Sequence, residues 1–487
     1  MLPRRRFLGG VAAMVASSMM PGCRPREQPG PERGTSAARA VRAARAYEGT
    51  RLTIASESGA QAQGLLQKAV PAWEELTGVR VEVLELGMPG DMVRRLLSEH
   101  AAGTGAIDCT SLPPAFLADL VADGALAPLD DLVARHMDPA DLDDYLPRYR
   151  DLGVSDGRRY GLFDDGDTLL LYYRRDLFED PGVHAAFRAA TGRPLGDPRT
   201  WGWDEFVAAA RYFTDAADVR YGLAPFTEDL LWGWFQTYFR ARQGRFFDPD
   251  TMRAEVDSEA GRRTMTDLLS LASWTLPGAF GEGDLLLPVS TWLSGSAAMA
   301  TFWPPLARWA EGYGESPFGR TPATAVAGRT GYALLPGGVT QLLVGFVLSV
   351  MASSRNHELA YLFLQWLSSP EISLDRVMLP YALRDPFRRS HVRSPAYRAL
   401  WPGAPEYLDT LETAAERSYF DLGLPGALDY QLAFRIALAE IRQGTDVDTA
   451  MRHLAARWDE VTARHGARRQ RAAYALWLAG ATPRTHP

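Results

Sequence analysis

Apolar and polar positions follow two rhythms in turn along the first structured stretch of the chain. Arg51-Leu52-Thr53-Ile54-Ala55 is a short β-type run ending at Ser56-Glu57-Ser58-Gly59. Leu65, Leu66, Ala69, Val70, Trp73 and Leu76 then share one face of a helix that Gly78 stops. Residues 79–84 alternate with the period of a strand, residues 92–101 carry Leu96 and Leu97 inward on a helix, and 106–110 read as a buried strand. Strand, helix, strand, helix, strand at this spacing predicts parallel βαβ units. Ligands of such sheets bind outside the carboxyl ends of the strands. That singles out Ser56 and Glu57 after the first strand and Ser111 in the 110–114 segment.

The alternation continues. An acidic turn, Asp164-Asp165-Gly166-Asp167, precedes an apolar strand at 169–173. Residues 201–213 read as a helix with Asp204 and Glu205 in its first turn, where the helix dipole favours acids. Further strands are predicted at 298–303, 331–335 and 344–350, a helix at 357–367, and a mainly helical stretch from 406 to about 465. The pattern predicts an α/β fold with no internal repeat.

The two ends have a different character. Arg4, Arg5 and Arg6 precede Phe7 and Leu8, and an apolar run to Met20 ends at Pro21-Gly22-Cys23. A basic head, a short apolar middle and small residues at its end describe a secretory signal, too short to span a bilayer, which needs roughly 20 apolar residues. Arg-Arg-x-Phe-Leu resembles the twin-arginine export signal, and Gly22-Cys23 resembles a lipoprotein processing site with Cys23 as the lipidated residue. Met20 and Pro21 depart from that box, so ordinary cleavage or an uncleaved anchor stays open; each reading predicts export. Residues 24–49 hold hardly a large apolar side chain and are expected to be a flexible tether. Residues 467–487 read as a tail.

At 487 residues and 46% hydrophobic content, the chain can bury a large core. Cys109 is the only cysteine besides Cys23, so a lipidated Cys23 leaves no internal disulfide. The formal charge of −7 becomes more acidic once the arginines of the signal are removed, which argues against a nucleic-acid partner. The eight histidines lack metal-ligand spacing, and no nucleophile elbow, zinc-protease motif or phosphate-binding loop occurs, so neither metal nor cofactor is expected.

Several segments, in order, resemble one family. They are Ala106-Ile107-Asp108 with the run from Leu117 to Leu129, and Tyr160-Gly161-Leu162 with Leu171-Tyr172-Tyr173-Arg174-Arg175-Asp176-Leu177-Phe178. Thr200-Trp201-Gly202-Trp203-Asp204-Glu205-Phe206, Gly295-Ser296-Ala297-Ala298-Met299, and Ala360 to Leu367 with Ser368-Ser369-Pro370-Glu371 complete the set. From about Arg51 to Arg464 the chain resembles the family-1 extracellular solute-binding proteins, the sugar-binding components of ABC importers. The resemblance implies a periplasmic-binding-protein-like fold, with two α/β lobes that clamp a solute by hinge motion and a mainly helical C-terminal stretch. It also implies a monomer that delivers to ABC permease subunits, and lobe crossings near 165–168, 341–346 and 381–394. The implied division is 50–165 and 345–392 for the first lobe, and 166–344 and 393–466 for the second.

A sugar cleft needs flat aromatic platforms with carboxylates or amides at the rim. Trp232, Trp234, Trp303, Tyr381 and Tyr430 are candidate platforms, with Trp303 best placed at a strand end beside Pro304-Pro305; Trp201 and Trp292 are expected in the core. Asp165 or Asp167 would accept hydrogen bonds from sugar hydroxyls, with Glu57 and Asp229 as further acceptors. Paired acids in an aromatic cleft also suit a carbohydrate-active hydrolase. A binding protein that feeds a membrane sensor is a third possibility.

Overall fold

The computed structural model describes residues 34–215, 219–281, 284–312, 324–380 and 383–481. Thirteen strands are described: β1 Arg51–Ser56, β2 Arg80–Glu85, β3 Cys109–Leu112, β4 Val154–Ser155, β5 Arg158–Arg159, β6 Leu162–Asp165 and β7 Leu170–Arg174. After them come β8 Tyr221–Leu223, β9 Ala297–Phe302, β10 Thr330–Ala333, β11 Thr340–Leu342, β12 Phe346–Val350 and β13 Ser418–Phe420. The first sheet has the order β2-β1-β3-β12-β6, and the second β10-β7-β9-β8. In the first sheet β1 pairs parallel with β2 and β3, as the βαβ pattern predicts, while β12 returns antiparallel between β3 and β6. Each sheet anchors one α/β lobe.

The strand order makes the chain pass between lobes more than once. β6 closes the first sheet and β7 opens the second, so residues 166–169 are a crossing; β12 then comes back from the second sheet to the first. Between these, β11 pairs in parallel with β13, which joins an early and a late segment of the second lobe. Helices cover both sheets. Trp73 lies fully buried between Phe363 and Trp366 of helix His357–Ser368, under the first sheet. Trp234 and Trp292 are fully buried in the second lobe. No described helix is long and apolar enough to cross a membrane.

Two sequence expectations are corrected. The tether predicted over 24–49 stops short, because Ser36–Ala44 is a helix capped by the Thr35 hydroxyl. Ala37, Ala40, Val41 and Ala44 form its buried stripe, at i, i+3, i+4 and i+7. Alanine contributes too little hydrophobicity to stand out in composition, yet its small size lets this helix pack closely on helix His357–Ser368. The predicted C-terminal tail is likewise helical over Ala467–Ala481, with Gln470 and Tyr474 buried. The export signal and Cys23 lie outside the described residues.

Candidate functional site

The acidic turn after β6 is where the crossings meet. A Cβ on Gly166 would lie 2.0 Å from the Pro386 carbonyl oxygen, so only glycine fits there. The Gly166 N–H donates to the Asp385 carbonyl at 3.1 Å, and Tyr149 donates to the Gly166 carbonyl at 2.7 Å. Gly345, at φ +61, brings the second crossing in and donates its N–H to Asp167 Oδ2 at 3.1 Å.

Guanidiniums and carboxylates are buried together around this contact. Asp164 accepts from both terminal nitrogens of Arg376 and from Arg384 Nε at 2.9 Å. Asp165 accepts the Asp385 N–H at 2.7 Å and Arg384 Nη1 at 3.5 Å. Arg308, on the second-lobe helix Pro305–Glu311, donates to Asp385 Oδ1 at 2.7 Å, and both side chains are 0% exposed. Oxygens of Asp165, Asp167 and Asp385 lie within 4.8 Å of one another, a spacing that a cation could bridge.

Charge balance says what neutralises them. Asp164, Asp165, Asp167 and Asp385 face Arg308, Arg376 and Arg384, which leaves one negative charge in a buried site. Burial pushes the Asp167 carboxyl well up, and the neighbouring Asp165 and Asp385 push it further, while its side-chain hydrogen bond stabilises Asp385 as the carboxylate. Asp165 and Asp385 are pushed up as well, chiefly by burial, so the proton belongs to the three-carboxyl group as a whole. One shared proton completes the balance.

Other predicted site residues divide between the lobe interface and the lobe cores. Ser56 is buried at the end of β1, and Ser111 accepts Arg384 Nη2 at 3.3 Å. Glu57 is half-buried and forms no hydrogen bond to another described residue. Burial lifts its carboxyl to about 7, with Arg384 opposing and second-lobe Asp229 adding to the rise. Trp303 is 9% exposed at the end of β9 and donates its indole N–H to the Leu343 carbonyl at 3.1 Å. Asp229 is held by Arg435 at 2.5 Å and Gln431 at 3.1 Å.

The structure turns four expected ligand contacts inward. Tyr430 is 0% exposed, with its hydroxyl 3.0 Å from Thr462 Oγ1 and its ring against Trp458. It shares the inner stripe of its helix with Ala433, Phe434 and Ala437, so it is core rather than platform. Trp232 packs on Phe434, and only its N–H reaches outward, to Asp421 Oδ1 at 3.1 Å. Asp165 is 0% exposed and spends its oxygens within the ion network rather than on an open cleft. Trp234 is buried as well, and Tyr381 lies outside the described residues. Trp201 and Trp292 are in the core, as expected.

Sequence reasoning missed the partners of these groups. Arg308 sits in an apolar helical run, Pro305-Leu306-Ala307-Arg308-Trp309-Ala310, and an arginine there is the one available signal. Asp421 accepts from Trp232 and from Gln236 Nε2 at 2.6 Å, and burial lifts its carboxyl to about 6. Asp119, on first-lobe helix Leu117–Ala122, accepts the Gly426 N–H of the second lobe at 2.5 Å, and burial lifts it to about 7. Ala115 meets Gly423 across the same seam, so the lobes stand closed on each other. Two cavities, of about 440 Å³ beside Gln243–Ala260 and about 350 Å³ beside Arg175–Pro181, share no lining residue with this seam.

Comparison with known proteins gives this architecture its context. The family described as bacterial extracellular solute-binding protein matches residues 56–373. A probable amino-acid ABC transporter periplasmic-binding protein of Sinorhizobium fredii is 23% identical over 419 residues, which cover 84% of this chain and 87% of the relative. An erythritol/L-threitol-binding protein of Mycolicibacterium smegmatis is 23% identical over 437 residues, covering 80% and 81%. An ABC transporter solute-binding protein of Agrobacterium radiobacter in complex with ribitol has the same fold, with a TM-score of 0.68, 22% identity and coverage of 85% and 99%. Maltose-bound MalE3 of T. maritima gives 0.67 at 18% identity, covering 85% and 100%. With two lobes, repeated crossings and a family match over most of its length, the chain belongs to the bacterial extracellular solute-binding proteins.

Proposed function

We propose that this chain captures a carbohydrate or similar small polar solute between its lobes and delivers it to an ABC permease. The observation that carries this reading is the closed seam. Glu57, just after β1, is within electrostatic reach of second-lobe Asp229, Ser111 accepts from Arg384, and Trp303 at the end of β9 donates to Leu343 beside the Gly345 crossing. Ribitol, maltose and erythritol/L-threitol, the ligands named for similar proteins, share the polar edges and apolar C–H faces that such carboxylates and an indole can take. Asp167 adds a hydroxyl acceptor or donor at the hinge end. On this reading residues 50–165 with 345–392 and residues 166–344 with 393–466 are the moving bodies, and the protein works as a monomer without a catalytic residue.

Export through the signal and lipidation at Cys23 belong to the same reading. Helix Ser36–Ala44 docks on the first lobe, so about a dozen residues separate Cys23 from a folded body. At ~3.5 Å per residue that is a reach of roughly 40 Å, enough to hold the receptor beside a membrane partner. Mass spectrometry of the mature N-terminus checks it.

Thermal shift across a panel of polyols, monosaccharides and maltooligosaccharides should show stabilisation by a subset, with the solute recovered unchanged. Recovery of cleaved product would overturn the reading in favour of a hydrolase. For the stabilising solute, Trp303→Ala should weaken binding about tenfold, the value of roughly 60 Å² of apolar contact. Calorimetric titration measures it, and unchanged affinity would remove Trp303 from the site.

A further inference from the structure

The C-terminal helix Ala467–Ala481 takes no part in the clamp described so far. It runs antiparallel to residues 418–426 of the second lobe. Gln470 Nε2 donates to the Pro425 carbonyl, and Trp477 Nε1 donates to the Asp421 carbonyl at 2.8 Å. Tyr474 is 1% exposed and stands edge-on to Phe247, 5.4 Å away, while the Arg240 guanidinium covers the Trp477 ring at 4.6 Å. The helix is therefore part of the second lobe.

Its two ends nevertheless hold the first lobe. Arg469 Nη2 donates to the Ala122 carbonyl at 2.6 Å. The segment just after Ala122 is fixed to the first sheet, since Ala127 N–H donates to Val350 of β12 and Ala352 N–H donates to Ala125. At the far end, Arg148 Nη1 donates to the Gly480 carbonyl at 2.7 Å, and its Nη2 donates to Ser418 at 3.1 Å. Arg148 belongs to helix Pro147–Asp151, whose Tyr149 ring lies 4.8 Å from Phe163 of β6. The two ties are about 16 Å apart along the helix. Arg469 sits at the edge of the seam where Asp119 accepts the Gly426 N–H, and Arg148 sits at the crossings.

We propose that the C-terminal helix is an interlobe strap that favours the closed arrangement and resists its opening. When the lobes part, the segment 418–426 carries the helix away from Ala122, and the Arg469 tie breaks first. The Arg148 end lies beside the hinge, where displacement is smallest, so it persists as the fixed end. The inference rests on the clamp reading. A failed clamp would show as no response in the thermal-shift panel, whereas a failed strap leaves that response intact.

The test is the lobe-to-lobe distance in solute-free protein. Spin labels at Arg94→Cys on the first lobe and Leu432→Cys on the second, in a Cys23→Ser chain, report the mouth; Cys109 is buried and takes no label. Double electron–electron resonance should show the open population rising about threefold to tenfold in Arg469→Ala, the worth of one hydrogen bond. Arg469→Lys, which keeps a donor, should restore much of the closed population. Truncation after Gly466 should open the mouth further, and where that chain fails to fold, Arg469→Ala decides alone. Distance distributions identical to the parent in Arg469→Ala would overturn the strap.

Discussion

Alanine in place of Arg308 should lower folding stability by about 3–5 kcal/mol, the cost of stripping a fully buried carboxylate of its partner. Arg308 and Asp385 are both 0% exposed, and Asp385 lies in the charge-balanced cluster that joins the crossings. Removing one guanidinium leaves the four acids, with their one shared proton, against two guanidiniums in a buried site. The chain would have to take up a further proton at Asp385 or unfold around it. Denaturant titration followed by tryptophan fluorescence measures the loss. The double change Arg308→Met with Asp385→Asn should recover much of it, since a neutral pair removes the buried charge as well as the partner. A loss below 1 kcal/mol in Arg308→Ala would show that the cluster is wetter than its burial implies.

The second large effect is on pH dependence. Glu57 and Asp119 both sit at about 7 in the closed arrangement, chiefly through burial, and second-lobe carboxylates, Asp229 near Glu57 and Asp429 near Asp119, add to the rise. Exposed by opening, each would fall back toward the ordinary carboxylate value near 4. The closed form thus holds these protons more tightly than the open form. Closure gains as pH falls through 7 and weakens as pH rises above it. Affinity for an uncharged solute should therefore rise about tenfold per carboxyl between pH 8 and pH 6, and up to about a hundredfold if both act. Titration calorimetry at the two pH values, in buffers of different ionisation enthalpy, would also count the protons taken up on binding. Asp119→Asn should remove the Asp119 share without touching the solute. Affinity that is flat across this range, or that falls on acidification, contradicts the assignment.

The fold was legible wherever a periodic run was long and contained large apolar residues. β1, β2 and helix His357–Ser368 fall within a residue or two of their predicted bounds, because Leu52 and Ile54, Val81, and Leu359 to Leu367 stand out from their polar neighbours. The helix at Ser36–Ala44 did not stand out, since its buried stripe is mostly alanine. The C-terminal helix was hidden differently. Its buried stripe begins with Gln470, a polar residue whose side chain is satisfied by the Pro425 carbonyl, a partner that no local pattern reveals.

The site was legible in position and illegible in partnership. The acidic turn at 164–167 marked the first crossing because it lies between two apolar strands. Its partners Arg308, Arg376 and Arg384 come from segments more than a hundred residues away, brought together only by the strand order. Aromatic side chains were ambiguous for another reason. A tryptophan or tyrosine suits a sugar platform and a core equally well, and residue type does not choose between them. Helical phase does: Tyr430 shares a stripe with Ala433, Phe434 and Ala437, which marks it as inward-facing.

A crystal structure with the solute that stabilises the protein most in the thermal-shift panel tests the clamp most directly. The solute should lie in the seam between the lobes, with Glu57 and Ser111 on one side and Trp303 and Asp229 on the other. Solute bound instead in the outer cavity beside Gln243–Ala260, with the seam unchanged, would contradict it.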